Sequence, residues 1–177
     1  AYVDVDNLKE VMAGWNFPLH FIDFETSTVA LPFNKGRTPY EQVAFQFSHH
    51  MITEDGTITH QSEWIDREKG KFPNFRFIRA LKASLGNDSG TIFRFATHEN
   101  TIVNAIYDQL EASSVSDKEE LQAFIREISH SKNDRANTWR GYRDMVDLCE
   151  VVKKYFYHPY MGGSNSIKSV LPAVIKL

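Results

Sequence analysis

Cysteine is nearly missing from this chain: Cys149 is the only one among 177 residues. One thiol can neither close an intrachain disulfide nor build a cysteine-rich zinc site, which suits a reducing compartment. No apolar run approaches the roughly 18 residues that a membrane-crossing helix needs. The amino terminus also lacks the basic, apolar and small-residue regions of a secretory leader, so a cytoplasmic location without a membrane partner is the expectation. Positive charge is in short supply as well, with 20 Lys and Arg against 23 Asp and Glu and a formal net charge of −3. That balance argues against a generally basic coat for nucleic acid, although a local positive rim around an acidic centre would still serve. Lys35, Arg37, Arg94, Arg140, Arg143 and Lys168 could supply such a rim, and each taken alone reads as an ordinary surface cation.

What is present is a core: 42% of the residues are hydrophobic and 13% aromatic, enough for one domain spanning 1–177. Residues 1–14 read as an amphipathic lead-in helix, with Val5, Leu8, Val11 and Met12 at helical spacing and Gly14 at its end. A first core strand begins near Leu19, and a loop carrying Pro32, Gly36 and Pro39 follows it. Two strand-like runs, 42–53 and 57–64, flank Asp55-Gly56, a strong short-range signal for an antiparallel hairpin. From there strand and helix alternate. The pattern predicts a helix over 75–85 stopped by Gly86, a strand over 91–96, a helix from Glu99 through Leu110, and a strand over 144–148. Helices are also predicted through Val151, Val152 and Tyr155 and over 166–174. Ser116 and Glu119 have capping-box spacing, predicting a helix to about Ser131, with a polar connection over 133–141 behind it.

The apolar strand Leu19-His20-Phe21-Ile22 runs into Asp23-Phe24-Glu25-Thr26. Alternation along a strand places Asp23 and Glu25 on one face, where two like charges repel unless a cation neutralises them. Hard oxygen ligands favour Mg²⁺ or Mn²⁺. The competing reading is a solvated acidic edge, against which stand the apolar neighbours Phe21, Ile22 and Phe24 of an inner strand. Glu99 follows the strand over 91–96; if that strand lies beside the first, both open at the same sheet edge and Glu99 faces the pair. It could equally be an acid favoured by a helix N-terminus. Asp147 is a fourth candidate, with helix capping as its alternative. No histidine pair shows helical zinc spacing around a glutamate. Among the aromatics, Phe45, Phe47, Phe93 and Phe95 read as core, whereas Tyr40, Trp139 and Tyr160 in loops could stack on bases.

Asp23-Phe24-Glu25-Thr26, the strand-then-acid element ending at Glu99 and Val146-Asp147-Leu148 together resemble the DEDD superfamily of metal-dependent 3′-to-5′ exonucleases. Pro39-Tyr40-Glu41-Gln42, Phe45-Gln46-Phe47-Ser48, His50, Tyr157-His158-Pro159 and the run from Gly163 to Pro172 look like an uncharacterised bacterial family placed within that ribonuclease-H-like group. The resemblance implies an α/β fold of ribonuclease-H-like type, a mixed central sheet of three antiparallel strands and then parallel ones, with helices on both faces. It implies Asp23, Glu25 and Glu99 as metal ligands of a two-metal site; Asp147 joins them by position as a candidate catalytic acid, Thr26 is a candidate substrate-binding residue, and Lys168, near the start of the last helix, could reach a phosphate or be an ordinary solvated lysine. The substrate would be DNA or RNA, entered at a single-stranded end. The superfamily's last acidic motif, a tyrosine or histidine before an aspartate on a late helix, does not occur up to Leu177. The expectation is therefore a truncated domain, a site completed in another way, or a degenerate domain that binds nucleic acid or serves assembly.

Overall fold

The computed structural model describes residues 1–86, 88–132 and 137–176. In chain order the elements are β1 (Tyr2–Val3), α1 (Val5–Ala13), β2 (Leu19–Ser27), β3 (Val43–Ile52), β4 (Ile58–Ile65), α2 (Asn74–Leu85), β5 (Ile92–Arg94), α3 (His98–Glu111), α4 (Lys118–Ile128), β6 (Val146–Asp147), α5 (Leu148–Tyr155), β7 (Phe156–Tyr157), a 3-10 turn (Pro159–Met161) and α6 (Ile167–Ile175). Five strands form a mixed α/β sheet in the order β4-β3-β2-β5-β6, leaving β2 in the centre. β3 runs antiparallel to both β2 and β4, and β5 and β6 join parallel to β2. The β3–β4 hairpin turns where expected: Thr53 N donates to Thr57 O at 3.0 Å, Gly56 N donates to Thr53 O at 2.9 Å, and Gly56 has a φ of +84°, which a side chain would strain.

One face of the sheet builds the core. His20, Ile22 and Phe24 alternate inward along β2, and Phe24, Phe47 and Trp64 present their rings edge-on to Phe77 of α2 at 4.9, 5.6 and 5.9 Å. Ile102, Val103, Ile106 and Leu110 of α3 and Leu121, Phe124, Ile125 and Ile128 of α4 complete this cluster. Each such side chain contributes roughly 1.5–3 kcal/mol of burial free energy. On the other face Phe21 stacks on Phe93, with ring centroids 5.0 Å apart, and Trp15 meets Phe93 edge-on. A smaller cluster of Met161, Val170 and Ala173 packs with Phe95, Val152 and Phe156 beyond it. Phe47 and Phe93 are thus buried as expected, while Phe45 and Phe95 are half-buried.

Several expectations need correction. The lead-in helix starts only at Val5, capped by Asp4, because Tyr2 and Val3 pair antiparallel with Tyr157 and Phe156. The capping box does not form: Asp117 is the N-cap of α4, and its carboxylate accepts from Arg79 at 2.6 and 2.7 Å. That helix ends at Ile128, after which Ser129 is extended and His130 bridges to Arg140. Residues 133–136 of the expected polar connection lie outside the described residues. Arg94 and Arg143 are no surface cations; each is 5% exposed and ion-paired. Among the described residues no helix is long and apolar enough to cross a membrane.

Candidate functional site

β5 lies parallel beside β2, with His20 opposite Ile92 and Phe21 opposite Phe93. Both strands therefore end at the same sheet edge, the edge where ligands sit in open α/β sheets. Because Ile22 and Phe24 point into the core, the alternate residues Asp23 and Glu25 share the opposite face, and both are exposed. Across the ladder Asp23 faces Ser48 and Glu25 faces Gln46, and a register shift after Glu25 turns the strand before Thr26. Thr26 Oγ1 lies 3.1 Å from His98 Nε2, joining the end of β2 to the first residue of α3.

Glu99, in the first turn of α3, is only 4% exposed. Its Oε2 is buried without a hydrogen-bond partner among the described residues. Burial raises its pKa to about 7; the negative charges of Asp23 and Asp147 push the same way, and its own backbone amide and Arg94 oppose them. The carboxylates that reach Glu99 are thus Asp23 and Asp147.

Asp147 is fully engaged. Its Oδ2 accepts from Arg94 Nη1 at 2.9 Å, and its Oδ1 accepts from the amides of Ala96 and Cys149, both at 2.9 Å. Arg94 Nη1 also donates to Ala96 O. Between them these groups clamp Ala96, a non-glycine residue at a φ of +71°, in a strained turn that leads directly into Glu99. Asp147 also caps α5, the alternative that its place before a helix offered.

Asp23 borders a cleft of about 340 Å³ that is also lined by Phe21, Phe93, Phe95, Ser48, His50 and Ile167. Lys168 is exposed in the first turn of α6, next to Ile167. Tyr40 and Tyr160 are 68% and 67% exposed, whereas Trp139 tilts against Tyr107 with centroids 4.8 Å apart. Among the described residues no group of three or more His, Cys, Asp and Glu is arranged to hold a metal ion. The structural part of Arg94 escaped the sequence, because its only signal was a charged residue ending an apolar strand.

No curated protein and no solved structure matches the chain. Residues 20–166 match the model of the family described as a domain of unknown function, DUF2779, and the chain belongs to that family.

Proposed function

We propose that the protein is a Mg²⁺- or Mn²⁺-dependent nuclease that hydrolyses phosphodiesters of DNA or RNA in the manner of the ribonuclease-H-like 3′-to-5′ exonucleases. The supporting observation is Glu99: a buried carboxyl with an unpartnered oxygen, within electrostatic reach of Asp23 at the carboxyl edge of the sheet. A buried carboxylate oxygen with no hydrogen-bond partner among the described residues is costly, and a hard cation is the partner that would relieve it. Magnesium needs only one or two protein carboxylates when water and substrate phosphate fill its other positions, so Asp23 and Glu99 fit it, with Glu25 beside them. Such an ion, when bound, lowers the pKa of a coordinated water and offsets phosphate charge.

The chain's own residues do the positioning. Arg94 and Asp147 hold the Ala96 turn and so fix Glu99. Phe21 and Phe95, both half-buried, offer apolar surface beside Asp23 for a base of a single-stranded end. Thr26, anchored to His98, and Lys168 flank the backbone. The order of three antiparallel strands followed by parallel β5 and β6 agrees with the ribonuclease-H-like reading of the fold.

The test is cleavage of end-labelled single-stranded DNA and RNA with and without Mn²⁺. Metal-dependent shortening from the 3′ end that Asp23→Ala abolishes is expected; intact substrate in every metal would refute the assignment. A second reading, a nucleic-acid-binding or assembly domain without catalysis, is favoured by the lack of a three-ligand group among the described residues. Metal titration separates the two, since an ion bound only by the folded state raises the melting temperature.

A further inference from the structure

A second cleft, of about 560 Å³, lies between α5 and the residues His130, Arg140 and Asp144, with Arg94 and Thr97 among its lining. In its wall His130 Nδ1 stands 2.8 Å from Asp144 Oδ1, and Arg140 Nη1 stands 2.9 Å from Asp144 Oδ2. An ionised carboxylate only accepts, so Nδ1 carries a proton and Nε2 is the nitrogen left to meet a ligand, donating to it when the ring holds its second proton. No partner occupies Nε2 among the described residues. The backbone beneath is fixed: His130 N donates to Asn100 Oδ1 at 3.2 Å, and His130 O accepts from the side-chain amides of Asn100 and Asn104 at 3.1 and 2.9 Å. An oriented imidazole on a clamped backbone, in the wall of a roomy cleft, is a built feature that the Asp23 site does not use.

The charges around it decide what it can hold. Each carboxylate of the lining is already taken: Asp144 by His130 and Arg140, Asp147 by Arg94 and two backbone amides, and Glu150 by Lys153 at 2.6 Å. The groups left over are donors or bases. Lys154 is exposed in α5, Thr97 precedes α3 without a side-chain cap bond, and Arg140, 74% exposed, has five N–H groups of which its pair with Asp144 engages Nη1. Val151 and Tyr155 add an apolar wall next to them.

We propose that this cleft is a phosphate-binding site, in which His130 Nε2, Arg140 and Lys154 engage the phosphate oxygens and the apolar wall receives the group that the phosphate carries. The phosphate belongs either to a small monoester or to the backbone of a polynucleotide, and the assignment stands without the nuclease reading. Guanidinium and imidazolium donors form charge-assisted bonds to phosphate that neutral side chains do not match.

The test is calorimetric titration of the full chain, in EDTA so that no metal-bound phosphate contributes, with inorganic phosphate, a nucleoside monophosphate and a short single-stranded oligonucleotide. At least one probe should bind saturably, and His130→Gln and Arg140→Ala should each weaken it about tenfold or more. Lys82→Ala, at an exposed pair with Glu120, should leave binding as it was. Arg140 is exposed, so its variant keeps the test open if His130→Gln folds poorly. Tighter binding of the monophosphate names a small ligand; tighter binding of the oligonucleotide names a backbone phosphate. No saturable binding of any probe, or equal binding by wild type and both variants, overturns the site.

Discussion

His20 Nδ1 lies 2.9 Å from His49 Nε2 inside the sheet, where the two rings share a single hydrogen. Asp88 Oδ1 holds the far side of His20 at 3.1 Å and is itself paired with Arg143 at 3.1 Å. On the other side His49 Nδ1 lies 2.7 Å from Ser84 Oγ, which meets Ser62 Oγ. A polar chain thus crosses the sheet from Arg143 to Ser62, satisfied at each link and buried at both histidines.

Burial lowers the pKa of His20, against the pull of Asp88, and burial together with the neighbouring His20 lowers that of His49 to about 4. Below about pH 6.5 the unfolded histidines take up protons that the folded ones refuse, so stability is present above that pH and is lost as pH falls toward 4. The stability advantage of wild type over His49→Gln should shrink by about 2 kcal/mol between pH 7 and pH 5 in urea unfolding. An advantage that stays constant would place the proton elsewhere.

Glu99 carries the opposite sign. Its folded pKa of about 7 lies above the unfolded value, so its contribution is present at low pH and is lost as pH rises through 7. In metal-free buffer Glu99→Gln should gain on wild type by about 2 kcal/mol between pH 5 and pH 8. Mn²⁺ should then narrow the gap by stabilising wild type alone. A variant no better at pH 8 than at pH 5 would contradict the buried, uncompensated carboxyl.

Arg94 and Asp147 form a buried pair, 5% and 10% exposed. Arg94→Ala leaves Asp147 with an uncompensated charge and should cost about 3–5 kcal/mol. Lys82→Ala, which breaks an exposed pair, should change stability by under about 1 kcal/mol. Chemical denaturation of both variants checks the contrast, and comparable losses would show that the Ala96 clamp contributes little.

Gly90 permits a close approach rather than a special φ. A methyl group there would stand 2.1 Å from Pro18 O and 2.7 Å from His20 Nε2, so Gly90→Ala should destabilise by about 3 kcal/mol or more through overpacking against backbone. Thermal unfolding would expose a tolerant site as an unchanged midpoint.

The sheet was largely legible in the chain. Alternation along 19–25, the Asp-Gly turn and the helical spacing of Phe75, Ile78, Leu81 and Leu85 are local signals, and β2, the hairpin and α2 appear where they pointed. The shared face of Asp23 and Glu25 followed from the strand period, and the parallel neighbour needed to bring Glu99 to the same edge is β5. The capping box misled because Ser116-Asp117 offers two caps, and a contact with Arg79, 38 residues away, uses the second.

By itself the sequence determined which residues could be strands and helices, because period, turn chemistry and glycine act over a few neighbouring positions. Only the tertiary structure decided that Arg94 is buried against Asp147, that Tyr2 pairs with Tyr157, that two histidines meet across β2 and β3, and that His130 is oriented by Asp144. Those relationships join residues from 14 to 155 positions apart, and their energy comes from desolvation and hydrogen bonding at contacts that exist only once the sheet has assembled.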